Sequence, residues 1–579
     1  MNNQILDINK LENLYQLFER GAQIAGEGHP LYRFNRTNNK EESMVTVTYD
    51  EYLPFLQKMI LAYQKLIKKG DKVVLIGETS VQWITTYMAT VCAGGIIVPL
   101  DPGILDDEVI NFTNLAEAKM VVSSKTWEKK HILVGRENEF KTVEHFVELD
   151  KSTFTTTSNE TFVEGKNMTF NNILALGESE YAKIGGEFVL PEQNTEEMSV
   201  LLFTSGTTGT SKGVMLCQRN ICAVMIGIDP VLNVLDKYDS VLSVLPIHHT
   251  YEMSAGILAP MIYGMTINIS DGIKYVQPNA KQFKPSVLTL VPLFVSTLHK
   301  KIWKNIEKQG KDKLVKTMSK VFKHAPTSVR RKIFKSVLEA LGGNVKYFIV
   351  GGAPLNPDIA NDFKTFGIHI SQGYGITECA PLISVVSLKV YKPASCGKLM
   401  PGLEIKFDKE REDETYGEVV VRGKNVMLGY YKMPEITKDV LSEDGWFRTG
   451  DYGYMDENGY LYLTGRKKNI IIASNGKNVF PEEIEEYIET IKYVEEVVVV
   501  GREHKETGAV DIVAIVVPNK EECDADQLTD DEIIYDAIYH RIMDINKNLE
   551  IFKHVSHVEI RKEPFEKTPS KKIKRYLVK

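Results

Sequence analysis

Apolar residues follow two rhythms along this chain. Before about residue 395, short apolar runs alternate with longer segments of helical character. Lys72-Val-Val-Leu-Ile-Gly77, Gly95-Ile-Ile-Val-Pro-Leu100 and Lys119-Met-Val-Val-Ser123 predict buried strands, and Ser80 to Ala93 predicts a helix between the first two. Similar runs at Met198 to Phe203, Ser240 to Leu245, Ser286 to Val291 and Val345 to Val350 each lead toward a turn or helix signal. Alternation of this kind predicts α/β architecture, with parallel strands wrapped by helices and ligand-binding loops at the strand ends.

After about residue 395 the strands become short, alternating and punctuated by glycine. Gly402-Leu-Glu-Ile-Lys-Phe407, Gly417-Glu-Val-Val-Val-Arg-Gly423 and Gly459-Tyr-Leu-Tyr-Leu-Thr-Gly465 predict antiparallel structure. From Pro481 a helix opens with proline and acidic residues, where the helix dipole favours them, and the strand Val494 to Val500 follows. The expected organisation is a large N-terminal domain over 1–465, its small β-rich, barrel-like part over about 395–465, a junction at 466–469, and a small α+β domain over 470–579.

A chain of 579 residues exceeds one ordinary core, and 43% hydrophobic with 25% charged residues is a globular composition. Thr79 to Leu100 carries no charge over a length that could cross a bilayer, but its serine, glutamine and threonines, Gly94-Gly95 and Pro99 predict a buried helix followed by a strand. The six cysteines show no C-x-x-C spacing, so neither zinc nor a disulfide framework is indicated. The first residues lack the basic and apolar regions of a secretory signal, and the expected location is the cytoplasm.

The net charge of −7 leaves no global footprint for nucleic acid. Locally, His299 to Ser336 holds thirteen lysines and arginines against Glu307 and Asp312. Leu314, Met318 and Val321, then Val329, Ile333 and Val337, recur at helical spacing and predict basic amphipathic helices. Two readings stand: a solvated face packed on a core, or peripheral contact with an anionic membrane, at its inner face, or with a phosphorylated ligand.

Candidate chemistry centres on Thr204-Ser-Gly-Thr-Thr-Gly-Thr-Ser-Lys-Gly213. Its glycines bring N–H groups close to an anion, its hydroxyls donate to phosphate oxygens, and Lys212 adds a mobile cation. Ser211 stands where a Walker loop has glycine, so this is phosphate binding of another kind. Gly373-Tyr-Gly-Ile-Thr-Glu378 places a ring, a hydroxyl and a carboxylate on one glycine-flexed turn, a set suited to a base, a phosphate and Mg²⁺. Arg448-Thr-Gly-Asp451 offers a carboxylate of the kind ribose hydroxyls require, and Gly465-Arg-Lys-Lys-Asn469 offers cations at the expected junction.

In this order these motifs resemble the AMP-forming acyl-, aryl- and amino-acid-activating family. So do Leu245-Pro-Ile-His-His249, Gly351-Gly-Ala-Pro-Leu355, Gly429-Tyr-Tyr, Asn475-Gly-Lys-Asn-Val-Phe-Pro-Glu-Glu-Ile-Glu485 and Lys567-Thr-Pro-Ser-Lys-Lys-Ile-Lys-Arg575. The resemblance covers nearly the whole chain. Within the family, Gly77-Glu-Thr-Ser-Val-Gln-Trp83, the helical stretch after Pro292 and the Thr-Pro-x-x-Lys ending look most like bacterial-type long-chain fatty acyl-CoA synthetases.

The resemblance implies a two-step reaction. A carboxylate attacks the α-phosphate of ATP to give acyl-adenylate and pyrophosphate, and coenzyme A then displaces AMP as a thioester. It implies that Thr204, Ser205, Gly206, Thr207, Thr208 and Lys212 embrace the β- and γ-phosphates, with Thr204 also near the metal. Thr377 would bond phosphate, Glu378 would hold Mg²⁺, and Tyr374, Gly375, Gly351, Gly352, Ala353 and Pro354 would flank adenine. Asp451 would accept the ribose hydroxyls with Arg466 nearby, and Lys572 would bridge the carboxylate and the α-phosphate. Lys468 would be the pivot of a mobile C-terminal domain, Gly476 would line the pantetheine channel, and His249 would close that channel.

Without the resemblance, His248-His249 reads as two core imidazoles or a metal-ligand pair. Neighbours on a strand point to opposite faces, which predicts that they do not share one metal. The chain departs from the family pattern at Ser211, where proline is usual, and at Lys571, where glycine is usual; Ile573 and Arg575 keep the spacing that selects Lys572. An amino-acid-activating module would carry an aspartate near Leu245 to Met253, and none is there. A ligase for acyl carrier protein, or an inactive lipid or nucleotide sensor on the same fold, are the remaining alternatives. Composition leaves acyl chain length and oligomeric state open.

Overall fold

The computed structural model describes residues 5–128, 135–158, 160–204, 211–473, 477–503, 510–567 and 573–578. These gather into two compact units. The first holds the residues up to Thr204, Ser211–Glu404 and Arg422–Phe447, and the second holds Ile405–Val421 and the residues from Arg448 onward.

Two large sheets build the first unit. Lys72–Ile76 lies between Ile96–Leu100 and Met120–Ser124, parallel to both, in an eight-stranded sheet that ends at Lys212–Cys217 and Gly429–Tyr430 on one side. In the other sheet Pro30–Asn35, Thr266–Ile269, Ser240–Ser243, Val287–Leu290, Tyr347–Val350 and His369–Gly375 run side by side in parallel. Both sheets have helices on them, and Ile96–Leu100 and Val287–Leu290 are buried throughout, as is Lys72–Ile76 after its first residue, as the unbroken Val/Ile/Leu runs predict.

The uncharged stretch after Thr79 is a core element. Ser80 caps the helix Val81–Cys92 by accepting a hydrogen bond from the Trp83 N–H, and every residue of that helix is buried. Two of its threonines are paired inside the protein: Thr85 donates to the Val81 carbonyl at 2.8 Å and pairs with the Tyr52 hydroxyl at 2.9 Å, and the Thr86 hydroxyl accepts from Tyr63 at 3.4 Å. No helix among the described residues is long and apolar enough to cross a membrane.

The basic region folds as the helices Pro292–Lys308, Asp312–Phe322, Thr327–Ile333 and Lys335–Glu339. Its apolar positions do not form one buried stripe as the spacing predicts. In Asp312–Phe322, Val315 and Met318 pack against the core while Leu314 and Val321 stay exposed at 57% and 67%. A second face of that short helix is thus apolar and wet.

In the second unit, Phe447–Met455 and Tyr460–Arg466 form an antiparallel pair. Farther along, Val510–Pro518 is the central strand of three, antiparallel to Val494–Glu503 and parallel to His557–Ile560. The helices Pro481–Ile488 and Asp531–Asn546 bury Ile484, Ile488, Ile538 and Ile542 against it. Pro481 at the helix start, followed by Glu482 and Glu483, is the opening predicted from the dipole.

Candidate functional site

Thr204 and Lys212, described members of the candidate phosphate-binding motif, stand directly opposite each other on the antiparallel strands Met198–Thr204 and Lys212–Cys217. Ser205, Gly206, Thr207 and Thr208 lie outside the described residues. The Thr204 hydroxyl faces the Lys212 carbonyl at 3.4 Å. The Lys212 ammonium lies over the ring of Tyr430, 4.8 Å from its centroid, where the π-face attracts a cation.

Tyr430 reaches this place because Gly429–Tyr430 adds one more strand beside Lys212–Cys217, with Tyr430 opposite Val214. Its hydroxyl donates a hydrogen bond to Glu378 Oε1 at 2.8 Å. Burial, and then the Glu378 carboxylate beside it, push the phenol well above its ordinary pKa, so Tyr430 remains a donor. Reading the motifs singled out Gly429-Tyr-Tyr without giving Tyr430 a role; its distance in sequence from both Lys212 and Glu378 hid the connection.

Glu378 belongs to the tight turn Thr377–Cys379, just beyond the strand His369–Gly375. That turn is clamped by main-chain and amide bonds. The Met427 N–H donates to the Glu378 carbonyl at 2.8 Å, and the Asn425 amide donates to the carbonyls of Cys379 and Leu382. Gly375 is required by space: a Cβ there would sit 2.0 Å from the Pro381 carbonyl oxygen. Tyr374 is buried on the strand itself, opposite Ser384, rather than on a turn, while Thr377 and Glu378 are partly open.

Gly351 follows the neighbouring parallel strand Tyr347–Val350, so the two candidate adenine segments leave adjacent strand ends. Gly352 has φ of +92°, a conformation glycine adopts without strain, and Gly352, Ala353 and Pro354 are exposed. Tyr251 ties this region to the sheet, its hydroxyl donating to the carbonyls of Ile349 at 2.8 Å and Leu290 at 3.2 Å.

His248 and His249 lie in a turn after Ser240–Ser243, not on a strand, and the prediction of opposite faces fails for that reason. Their ring centroids are 4.0 Å apart. Asp101, at the end of Ile96–Leu100 in the other sheet, brings Oδ2 to 3.5 Å from His248 Nε2. Burial opposes ionisation of Asp101, yet His248, the Gly103 N–H at 2.8 Å and His249 bring its pKa below the ordinary carboxyl value. Behind the turn, buried Glu252 accepts hydrogen bonds from Ser243 Oγ, the Val244 N–H and Thr289 Oγ1, and burial still raises it to about 7.

The second unit holds the remaining candidates. Asp451 is buried opposite Arg466, whose Nε is 3.1 Å from Asp451 Oδ1. Lys468 lies in the turn Lys467–Asn469, and burial, with Arg466 and Arg575 nearby, lowers it to about 8. The chain beside that turn is closely packed, since a Cβ on Gly465 would meet Phe480 and Glu482 at 2.8 Å. Gly476 and Lys572 lie outside the described residues.

In chemical terms the first unit offers a cation, hydroxyls and a carboxylate at or just beyond β-strand ends, a combination suited to polyphosphate with a hard cation. Residues 36–431 match the AMP-binding enzyme family, and residues 468–579 match the AMP-binding enzyme C-terminal domain. The long-chain-fatty-acid–CoA ligase ACSBG2 of Rattus norvegicus is 26% identical over 499 residues, which is 79% of this chain and 71% of that one. The chloroplastic long-chain-fatty-acid–acyl-carrier-protein ligase AEE15 of Arabidopsis thaliana is 29% identical over 458 residues, 66% of this chain and 60% of that one. The crystal structure of the anthranilate–CoA ligase AuaEII in complex with anthranoyl-AMP shares the fold, with a TM-score of 0.74 at 17% identity over 99% of this chain and 98% of that one.

Proposed function

The chain belongs to the AMP-binding enzyme family, and on that premise we propose that it is a long-chain fatty acid–CoA ligase. The observation that carries the reading is the connected set Lys212, Tyr430 and Glu378, which aligns a cation, a neutral donor and a carboxylate beside the phosphate-binding hairpin.

In the first step a fatty acid carboxylate oxygen forms a bond to the α-phosphorus of ATP while the bond to the β-phosphate bridging oxygen breaks, and pyrophosphate leaves. In the second the thiol of coenzyme A attacks the acyl carbon, loses its proton, and AMP departs with the former carboxylate oxygen. No protein nucleophile is needed, so catalysis consists of positioning and charge neutralisation. Thr204, Ser205 to Thr208 and Lys212 grip the leaving pyrophosphate; Thr377 bonds phosphate. Tyr374, Gly375 and the segment Gly351 to Pro354 frame the adenine. Asp451 takes the ribose hydroxyls with Arg466, and Lys572 supplies the cation at the reacting phosphorus. Lys468 serves as pivot, Gly476 leaves room for pantetheine, and His249 guards the thiol's approach.

The carboxylate of Glu378, one oxygen of which accepts from Tyr430, and the hydroxyl of Thr204 are hard oxygen donors of the kind Mg²⁺ takes. When bound, Mg²⁺ neutralises phosphate charge. Tyr430 keeps the Glu378 carboxylate oriented for it.

A second reading is favoured by the acyl-carrier-protein ligase relative, since both ligases make the same adenylate and differ in what presents the thiol. The test supplies purified full-length protein with ATP, acids from acetate to oleate, and either coenzyme A or holo acyl carrier protein. Pyrophosphate release with long-chain acids and thioester only with coenzyme A is the expected result. Thioester only on carrier protein selects the second reading, and ATP binding without turnover on any acid defeats both.

The exposed face of Asp312–Phe322, with Leu314 and Val321 among Lys313, Lys316 and Lys320, supports peripheral contact with an anionic lipid surface, from which fatty acid substrates partition.

A further inference from the structure

Two sheets of the first unit converge at one point. The end of Ile96–Leu100 delivers Asp101, and the turn after Ser240–Ser243 delivers His248 and His249. Each of the three offers one ligand atom within 4.8 Å of the others. We propose that Asp101, His248 and His249 bind a divalent transition-metal ion of zinc character, with a further position open to water.

The donor set is the first reason. Two imidazoles and one carboxylate match zinc-type ions, whereas Mg²⁺ prefers oxygen throughout, which separates this site from Glu378. Spacing is the second. Ligands about 2.0–2.2 Å from a tetrahedral ion stand roughly 3.3–3.6 Å from each other, and His248 Nε2 lies 3.5 Å from Asp101 Oδ2. That gap is long for a hydrogen bond and suitable for two atoms on one ion.

His248 supplies the third reason. Its side chain is 7% exposed, yet neither Nδ1 nor Nε2 has a hydrogen-bond partner. Buried polar groups are almost always satisfied, so a buried imidazole whose Nδ1 has no partner and whose Nε2 has only the Asp101 carboxylate at 3.5 Å points to a missing ligand. The backbone around it is set in place. The Gly103 N–H holds Asp101 Oδ1 and leaves Oδ2 toward His248, the His249 N–H donates to the Pro246 carbonyl at 3.2 Å, and the His249 carbonyl accepts from the Met253 N–H at 3.1 Å. Asp101 and His249 are more open than His248, which gives an ion a way in.

An ion held there would fix the imidazole of His249. If His249 guards the thiol's approach, as proposed above, occupancy inhibits thioester formation; the binding itself stands apart from that role.

The test uses full-length protein stripped with chelator, without ATP. Co²⁺ is titrated by visible absorption and Zn²⁺ by calorimetry, on wild type, Asp101→Asn, His248→Gln and Glu378→Gln, with thermal melts of the metal-free proteins to establish folding. Expected are one equivalent bound with the intense ligand-field bands of low coordination, affinity lower by at least about a hundredfold in Asp101→Asn and His248→Gln, more than loss of an outer-shell partner costs, and no change in Glu378→Gln. No bound equivalent, or an affinity that survives both Asp101→Asn and His248→Gln, overturns the site. Because Asp101→Asn keeps the shape and the Gly103 hydrogen bond, the test holds even where His248→Gln does not fold.

Discussion

The hydroxyl of Tyr430 donates a 2.8 Å hydrogen bond to Oε1 of Glu378 while its ring carries the Lys212 ammonium. Tyr430→Phe keeps the ring and removes the donor. Hydrogen bonds to charged groups contribute about 1.5–3 kcal/mol, so kcat/KM for ATP–pyrophosphate exchange should fall about ten- to a hundredfold. Glu378→Gln should cost more. An unchanged exchange rate in Tyr430→Phe would remove Tyr430 from the proposed machinery.

Gly375 and Gly352 predict losses of different origin for the same change. Gly375→Ala drives a Cβ against the Pro381 carbonyl and should destabilise by about 1–3 kcal/mol or more, because main chain has to move. Gly352→Ala meets only Val291 Cγ1, at 4.0 Å, and bears chiefly the cost of a positive φ, about 1–2 kcal/mol. Urea denaturation of both variants measures the difference.

Glu252 couples stability to pH in the acid range. Burial raises its pKa to about 7, so between the ordinary carboxyl value and 7 the folded protein binds a proton that the unfolded chain has lost. Stability from this group is present at low pH and declines as pH rises through 7. Glu252→Gln, neutral throughout, should flatten that decline in denaturation curves taken from pH 5 to 8; an identical slope in both proteins contradicts the assignment.

Lys468 works in the opposite direction. Its pKa is lowered to about 8 by burial and by Arg466 and Arg575, so the unfolded chain binds more protons above pH 8. Wild-type stability should rise from pH 8 toward 10. Lys468→Met, with no charge to bury, should be the more stable protein at pH 7 and should lose that advantage as pH rises. Paired denaturation at pH 7 and 9.5 provides the comparison.

The helix Asp312–Phe322 predicts lipid binding that depends on charge. Replacing Lys313, Lys316 and Lys320 by glutamate should abolish co-sedimentation with phosphatidylglycerol vesicles, and raised salt should weaken it in wild type, since each lysine near such a surface contributes about 1 kcal/mol. Binding indifferent to both changes would mean the face is merely solvated.

Much of the architecture was legible before any coordinates. The strands at 72–76, 96–100 and 198–204 fall where unbroken Val/Ile/Leu runs predict them, and Ser80 begins its helix as a capping residue should. These signals are local, because burial on two faces or the loss of free N–H groups at a helix end constrains neighbouring residues directly. The failures have a local cause as well. The apolar run before His248 and His249 predicts that they are strand neighbours, but the strand ends at Ser243 and the turn brings their rings together. In the basic region helical spacing was right, while which face met the core was not: Val315 and Met318 face inward, and Leu314 and Val321 do not.

By itself the sequence determined the α/β class, the strands on either side of the Thr204–Lys212 motif and the family, since runs, caps and motif order are properties of neighbouring residues. Only the tertiary structure decided that Tyr430 joins Lys212 to Glu378, and that Asp101 meets His248. Those encounters depend on which strands lie side by side and on where two sheets approach, and that is settled by burying the faces of both sheets rather than by any stretch of chain alone.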